Sequence, residues 1–337
     1  MIRYITHILC PAMLCISLSG CEFEDEYNVS PRRNFESLWK IIDENYCFFE
    51  YKSVDWDSIH AQYSQEIEEQ MSDYDLFRRM SEMLDELQDG HVNLQSSNMG
   101  VSSYDGWLRG YPSNFNTDVL RNTYWSRSQN YNDIIKHNRI VDNQIGYIYY
   151  GSFKESILEK DLDNIFSTFS YCRGIIIDVR DNGGGSITNS DRLASRFLSE
   201  KTLCGYIRHK TGKGHDDFSD PYPIYLSPSH ANLWLRPVIV ITNRRCYSAT
   251  NNFVSKMKVL PNVTILGGRT GGGSGFPFTS ELPNGWSIRF STSPILDVDK
   301  QHTEFGIDPD IEVELTDEDI KENKDTLIEE AIRILLN

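Results

Sequence analysis

The sequence predicts an α/β fold class with a parallel-rich sheet, and two observations carry that prediction. From Ile145 onward, short runs of apolar and β-branched residues alternate with segments of helical periodicity. Several of these runs are continuously apolar, which is typical of strands that are covered on both faces. With 337 residues, of which 39% are hydrophobic, the chain is long enough for one large or two modest domains.

The first 33 residues are predicted to stand outside the fold. Residues 1–20 combine a positive charge at Arg3 with a short apolar run, as in a secretory signal. They end in Leu18-Ser19-Gly20 before Cys21, which is similar to the bacterial lipoprotein box, in which the cysteine is lipidated. The alternative is an ordinary signal peptide with a coincidental cysteine. Residues 21–33 are interpreted as an acidic tether, so that lipid on Cys21 would anchor the protein in a bacterial cell envelope, at the outer membrane, on its periplasmic side or at the surface.

Residues 34–95 are predicted to form an N-terminal helical subdomain. Apolar residues recur there at steps of three and four through two runs, and the second run stops at Asp89-Gly90, a helix-ending turn signal. His91 to Leu94 are predicted as a short strand that ends this subdomain. Residues 96–140 are rich in Ser, Asn, Gly and Tyr and are predicted to be an irregular connecting segment.

Residues 141–337 are predicted to form the α/β core. The predicted elements are strands at 145–150, 173–180, 238–241 and 263–266, helices at 158–169 and 190–199, a hairpin with a tight turn at Asn284-Gly285, and a closing helix at 317–336.

Charge and cysteine usage exclude several function classes. The chain has 33 Lys and Arg against 49 Asp and Glu, a net charge of −16, which argues against a nucleic-acid partner because such a partner requires a basic face. After the first twenty residues no stretch is long and apolar enough to span a membrane. The cysteines have no metal-ligand spacing, so no metal and no cofactor are expected. Nothing in the sequence indicates an oligomeric state.

Ser248 is a candidate nucleophile because it stands where a buried strand is predicted to turn into a helix. The apolar run from Val238 to Ile241 precedes it, and a helix-compatible stretch follows. A hydroxyl at such a junction can face a cleft at the carboxyl end of a sheet, beside the free N–H groups of the new helix. Taken alone, the segment favours a helix N-cap instead, which is a common role for serine. Cys246, two residues earlier, is a rival nucleophile.

Four other segments carry residues that suit acyl-transfer chemistry. Asp181 to Gly185 is a glycine-rich turn, which fits an oxyanion hole, a phosphate cradle or a strained turn. Gly267 to Gly275 is a second glycine-rich loop and is predicted to form a pocket wall. His91 follows a turn and could serve as a base, with His215 and His302 as competitors. Glu304 is a candidate to orient that base.

Taken together and in order, five segments resemble the tail-specific protease family, also called C-terminal processing peptidases, and its tricorn-core relatives. The resemblance spans residues 34–337 and implies a ClpP/crotonase-like β-α superhelical protease core with serine peptidase chemistry on peptide or protein substrates. The PDZ module of many relatives is not expected, because residues 95–140 are too short for a domain of about 80–100 residues. The segments are Leu87-Gln88-Asp89-Gly90-His91, Ile177 to Gly185, Asn243 to Ala249, Gly268 to Gly272, and Glu304 to Asp310.

The resemblance also implies a role for each matching residue. Ser248 would attack the scissile carbonyl, and the N–H groups of Ala249 and of the Gly183-Gly184 turn would hold the oxyanion. One branch of the family uses a lysine base in a T-x-G-K-G loop, but here Thr270, Gly271 and Gly272, the expected pocket wall, are followed by Gly273 and Ser274. The tricorn-like branch uses a histidine that a glutamate assists through a serine. This assigns His91 as general base and Glu304 as its orienting acid, directly or through water.

Gly90 stands where that branch has its bridging serine. The departure leaves a second hypothesis open, a family member of weak or no activity that binds peptides or apolar ligands, as retinoid-binding relatives on this core do. A phosphate-binding protein is less favoured, because the chain lacks the G-x-x-x-x-G-K-S/T motif and neither glycine-rich loop contains a lysine.

Overall fold

Two β-sheets lie at the centre of the structure, a computed structural model that describes residues 29–126, 128–130 and 134–337. The predicted signal segment, Cys21 and most of the tether lie outside the described residues. Within the described ranges, no helix has the length and apolar character needed to cross a membrane.

The helices of the described residues are α1 (Pro31–Asn45), α2 (Phe49–Lys52), α3 (Trp56–Ser64), α4 (Asp73–Asp85), α5 (Thr117–Val119), α6 (Glu159–Thr168), α7 (Ile187–Ala194), α8 (Ala249–Lys258), α9 (Asp317–Lys321) and α10 (Thr326–Leu336). The strands are β1 (Asn93–Ser96), β2 (Gly100–Ser103), β3 (Gln129–Asn130), β4 (Ile135–Ile140), β5 (Ile145–Tyr150), β6 (Gly174–Asp178), β7 (Thr202–Ile207), β8 (Tyr222–Leu226), β9 (Val238–Thr242), β10 (Val263–Gly267), β11 (Gly275–Glu281), β12 (Ser287–Leu296) and β13 (Ile311–Glu312).

The larger sheet runs β13-β10-β9-β6-β5-β4-β3 and is parallel from β13 to β5. Both of its faces are covered, because successive residues of β6 enter different cores. Ile175 and Ile177 pack in the core beneath α6, α7 and α8, whereas Ile176 packs in the core beneath α10. This explains the unbroken apolar runs and confirms the α/β fold class with a parallel-rich sheet.

The second sheet is antiparallel, runs β2-β1-β12-β7-β8, and carries β11 on β12. It packs on the N-terminal helices through Ile288 and Phe290 of β12, which share a core with Phe35 and Leu38 of α1. The start of α1 follows from its sequence, because Ser30 accepts a hydrogen bond from the backbone N–H of Arg33 and Pro31 begins the helix.

The structure corrects three sequence-based expectations about the elements. Residues 96–140 are not simply irregular, because β2 pairs with β1 and β4 is a full strand of the larger sheet. The closing helix is two helices, α9 and α10, separated at Asn323, which has a positive φ of 54°. His91 lies in the turn before β1 and not in the strand itself. Polar, low-periodicity strands and a single helix-breaking dihedral leave little trace in the sequence pattern.

Candidate active site

Ser248 occupies the N-cap position of α8, directly after the loop that follows β9, but its side chain does not cap the helix. Its φ is 58° and its ψ is −120°, a backbone conformation that residues other than glycine rarely adopt. The Ser248 N–H donates to the carbonyl of Gly272 at 2.8 Å, which fixes the turn. The hydroxyl is therefore free for another partner, and the helix-cap interpretation is wrong.

That partner is His91. Its Nε2 lies 2.9 Å from Ser248 Oγ, which is hydrogen-bond distance, although the two residues are 157 positions apart in the chain. The His91 backbone is held by Asp89, whose Oδ1 accepts the His91 N–H at 2.8 Å. The imidazole packs edge-on against the ring of Tyr247. A short Asp-Gly-His turn thus aims the ring at the hydroxyl.

The surroundings of His91 favour the neutral imidazole. Burial lowers the pKa of His91 to about 4, and nearby Arg289 and Lys52 act in the same direction, whereas Asp89 opposes them. Nδ1 has no hydrogen bond within the described residues, although the Gly275 backbone lies close enough to favour the protonated ring. Near neutral pH, Nε2 can therefore accept the hydroxyl proton of Ser248.

Glu304 reaches Lys52 and the Ser274 backbone, and no hydrogen bond joins it to His91. Its Oε1 accepts from Lys52 Nζ at 2.9 Å, and its Oε2 accepts from the Ser274 N–H at 2.8 Å. Lys52 also donates to the Gln88 carbonyl and lies 3.7 Å from Asp89 Oδ2. Of the two expected arrangements, the direct pairing of Glu304 with His91 is absent, and Glu304 instead belongs to a buried Lys52 cluster, formed by Lys52, Asp89 and Glu304.

The charges of the Lys52 cluster are unequal. Burial, followed by the charge of Asp89, raises the pKa of Glu304 to about 7, and Lys52 only partly offsets this. Burial alone would raise the pKa of Asp89 as well, but Lys52 and hydrogen bonds from the His91 N–H and Ser291 hold it below its usual range. Asp89 is therefore the permanent anion beside His91, and Glu304 titrates near neutral pH.

Gly90 is a glycine for a steric reason. A Cβ at this position would lie 2.8 Å from both Trp107 Nε1 and Tyr247 Oη. Because the two rings stack on one another, each restricts the movement of the other. A serine at position 90 would need these rings to move, so the departure at Gly90 is matched by its surroundings.

The glycine turn after β6 lies against Ser248. A Cβ at Gly184 would be 2.9 Å from Ser248 Cβ and 2.9 Å from the Ala249 nitrogen, which places the turn beside the nucleophile and the start of α8. The Gly184 N–H already donates to Asn182 Oδ1 at 2.9 Å. The N–H groups of Gly183 and Ala249 have no such partner in the described part of the chain, so of the three expected oxyanion donors these two are available.

A cavity of about 460 Å³ opens beside Ser248 and His91. Its glycine-loop wall consists of Gly273, Ser274 and Gly275, and not of Thr270, Gly271 and Gly272 as expected. The latter three residues are buried and support the wall. The Gly272 carbonyl accepts the Ser248 N–H, and Thr270 Oγ1 donates to Asn251 Oδ1. The wall is shifted by three residues because the first half of the loop is used to brace α8.

The competing candidates lie elsewhere. Cys246 is buried, its Sγ lies 3.0 Å from the Val179 carbonyl, and burial raises the pKa of the thiol, so the rival-nucleophile interpretation is wrong. His215 pairs with Asp43 at 2.8 Å, and His302 stacks on Tyr51. No group of three or more His, Cys, Asp or Glu side chains within the described ranges is placed to hold a metal ion.

Sequence reasoning missed Lys52 and Arg289, and it treated Asp89 only as a turn residue and Asn182 only as part of the glycine turn. Lys52 carries the one available signal, a lone cation ending the aromatic segment Phe48-Phe49-Glu50-Tyr51. Its ammonium lies over the ring of Phe48 in that segment and over the rings of Tyr46 and Phe305 outside it.

Comparison with known proteins agrees with this fold. Residues 144–313 match peptidase family S41, and residues 27–85 match the tricorn protease C1 domain. A crystal structure of a putative peptidase from Parabacteroides merdae is 55% identical, with a TM-score of 0.87 over 92% of this chain and 98% of that one. Mature CPAF shares the fold at 13% identity, with a TM-score of 0.67 over 90% of this chain and 96% of that one.

Curated relatives match over shorter spans. The tricorn protease of Thermoplasma acidophilum is 30% identical over 198 residues, which are 57% of this chain and 17% of that protein. The chain spans between 17% and 37% of the length of the first curated relatives it matches.

The fold and these matches place the protein in a class of peptidases. The chain belongs to peptidase family S41, and the resemblance to C-terminal processing peptidases is confirmed.

Proposed function

We propose that the protein is a lipid-anchored serine endopeptidase in which Ser248 is the nucleophile and His91 the general base. The observation that carries this proposal is the 2.9 Å separation of His91 Nε2 and Ser248 Oγ, in a cavity large enough for a peptide segment. The strained backbone at Ser248 supports it, because such strain is concentrated at functional sites.

In the first step, Ser248 Oγ bonds to the scissile carbonyl carbon as its proton passes to His91 Nε2. The carbonyl oxygen takes up the negative charge, facing the N–H groups of Ala249 and Gly183. When the C–N bond breaks, the imidazolium gives its proton to the leaving amine. A water molecule then repeats the sequence on the acyl-enzyme, releasing the acid and restoring Ser248.

The Lys52 cluster supports the base from behind. Asp89 favours the imidazolium that forms during each step, since its carboxylate is charged and lies close to the ring. Lys52 holds Asp89 and Glu304 together, and Glu304 fixes the Ser274 backbone beside Gly275. We assign Glu304 an indirect positioning role, through Lys52 and the cavity wall.

A serine-reactive fluorophosphonate probe tests the nucleophile. We expect labelling of the wild type, none of Ser248→Ala, and a loss of at least about 10³-fold in labelling rate for His91→Ala, since a serine hydroxyl is weak without its base. Thr250→Ala, a neighbouring hydroxyl in α8, is the matched control and should be labelled normally. No labelling and no peptide cleavage by folded wild type would contradict the proposal.

The envelope location rests on Cys21 and the residues before it. Lipid on this cysteine would place the peptidase at the outer membrane, on its periplasmic side or at the cell surface. Cys21→Ser should shift the protein from the membrane fraction to the soluble fraction of the cell. Retention of the variant in the membrane fraction would count against lipid anchoring.

A further inference from the structure

The cavity beside Ser248 contains a single formally charged side chain within the described structure, that of Arg289. The rest of its wall consists of small polar, glycine and apolar residues together with His91, which the surroundings keep neutral. The whole chain carries a net charge of −16, so a lone cation in the cleft runs against the overall composition.

Strand geometry aims Arg289 into the cleft. Its neighbours Ile288 and Phe290 point into the N-terminal core, and alternation along a strand places Arg289 on the opposite face. Arg289 and His91 line the same cavity, and the positive charge of Arg289 is one of the influences that lower the pKa of His91. A group bound by Arg289 therefore lies near the reacting atoms.

Arg289 has no carboxylate partner among the residues that the structure describes. Its one side-chain hydrogen bond runs from Nη1 to Asn93 Oδ1 at 3.3 Å, and no acidic oxygen of the described residues lies within ion-pair distance of it. Three other arginines are buried in the described part of the chain, and each has more partners than Arg289. Arg180 and Arg196 each pair with two carboxylates, and Arg244 donates to three backbone carbonyls. The charge of Asp89 acts on Arg289 from beyond ion-pair distance, so this half-buried guanidinium has no direct counter-charge. Such a group is costly unless a ligand supplies one.

We propose that Arg289 binds an acidic side chain of the substrate, so that the peptidase prefers peptides with Asp or Glu close to the scissile bond. The planar guanidinium has Nε and Nη2 available for a two-point contact with a carboxylate. This inference rests on the proposed peptidase function and names the substrate class of that site.

The test uses fluorogenic peptides that differ by one charge. A fixed scissile sequence is made with Glu or Gln at each flanking position, and with a free or amidated C-terminus. For wild type we expect kcat/KM to favour the carboxylate by about 10- to 100-fold at one position, the range of a charge-assisted hydrogen bond. A preference for Glu over Gln supports the inference, whereas a response to the free terminus alone would overturn it, because the C-terminal carboxylate would then be the ligand of Arg289.

Variants separate this inference from the parent proposal. Arg289→Gln should lose the preference and Arg289→Lys should keep part of it, whereas Arg139→Gln, which removes an exposed charge outside the cleft, should keep all of it. Peptide binding to Ser248→Ala, with and without Arg289→Gln, measures the same preference independently of turnover. Equal use of acid and amide peptides, or a preference that survives Arg289→Gln, would overturn the inference, whereas carboxylate-selective binding without cleavage would fault only the peptidase proposal.

Discussion

Arg180 and Lys52 are both buried cations held between two carboxylates, and their surroundings differ in a way that matches their places in the fold. Arg180 forms five short contacts with Asp178, Asp325 and the Asn114 carbonyl. Lys52 forms two hydrogen bonds, to Glu304 and the Gln88 carbonyl, and stands 3.7 Å from Asp89. The guanidinium contacts both of its carboxylates directly, whereas the ammonium hydrogen-bonds to only one of its two, Glu304, whose pKa burial raises to about 7.

The difference follows from side-chain shape and from what each cluster holds. The planar fork of Arg180 ties the end of β6 to Asp325, which caps α10 through the N–H groups of Leu327 and Ile328. Lys52 is a point charge behind His91, and Glu304 beside it has a pKa of about 7. The first cluster fixes the frame of the larger sheet, and the second sets the electrostatics of the proposed base.

The largest effect is expected for Arg180→Met. It leaves Asp178 and Asp325 buried without a counter-charge, which typically costs about 3–5 kcal/mol of unfolding free energy. Urea denaturation at neutral pH measures this change, with Arg139→Met as an exposed control expected to stay within about 0.5 kcal/mol of wild type. A loss below about 1 kcal/mol would show that the network contributes little.

Lys52→Met should cost less stability at pH 7, about 1–3 kcal/mol, because Glu304 can take up a proton when the ammonium is removed. The loss of stability should grow above pH 7. In wild type Glu304 is then ionised and paired with Lys52, whereas in the variant a buried Glu304 would have to ionise without that cation. Removing Lys52 also removes a charge that lowers the pKa of His91. The acidic limb of kcat/KM against pH should therefore move to higher pH.

A purely structural role for Lys52 predicts a different result, lower stability with an unmoved pH profile. Lys52→Arg serves as the matched variant, since it keeps the charge. We expect it to retain the position of the acidic limb even where it loses stability.

Glu304→Gln should change the free energy of unfolding at pH 7 the least of the three variants. Its main effect should be on how that free energy varies with pH. The pKa of Glu304 is raised in the folded state, so this group stabilises the fold as pH falls from about 7 towards 4.5. The pKa of His91 is lowered, so that group destabilises the fold as pH falls from 6.5 towards about 4. In wild type the two opposing contributions largely cancel.

In Glu304→Gln, His91 is the one of these two groups that still contributes to the pH dependence of stability. Unfolding free energy should then fall by about 3 kcal/mol between pH 6.5 and 4, a shift of two to three pKa units. Adding His91→Gln should remove that fall. If the unfolding free energy of the wild type fell with pH as steeply as that of Glu304→Gln, the proposed opposition between Glu304 and His91 would be wrong.

Local patterns in the sequence determined the parts of the site that lie within single segments. The strand-to-helix junction marked Ser248, the Asp-Gly turn marked His91, and the glycine run marked the turn that lies against the nucleophile. The periodic helices and the continuously apolar strands were predicted for the same reason, since each reflects the burial of one short element. The strands at 100–103 and 135–140 were missed because polar, partly exposed strands have no comparable pattern.

Tertiary structure alone decided how these segments support one another. Lys52 and Glu304 are 252 positions apart, and Ser291 and Asp89 are 202 apart, so no local spacing could pair them. The same holds for Arg289, because only the folded structure shows that no acid of the described residues lies within ion-pair distance of it. Residue type and local period fix the chemistry that each segment can offer. Burial and charge at a site depend on every element packed around it, and only the folded chain brings those elements together.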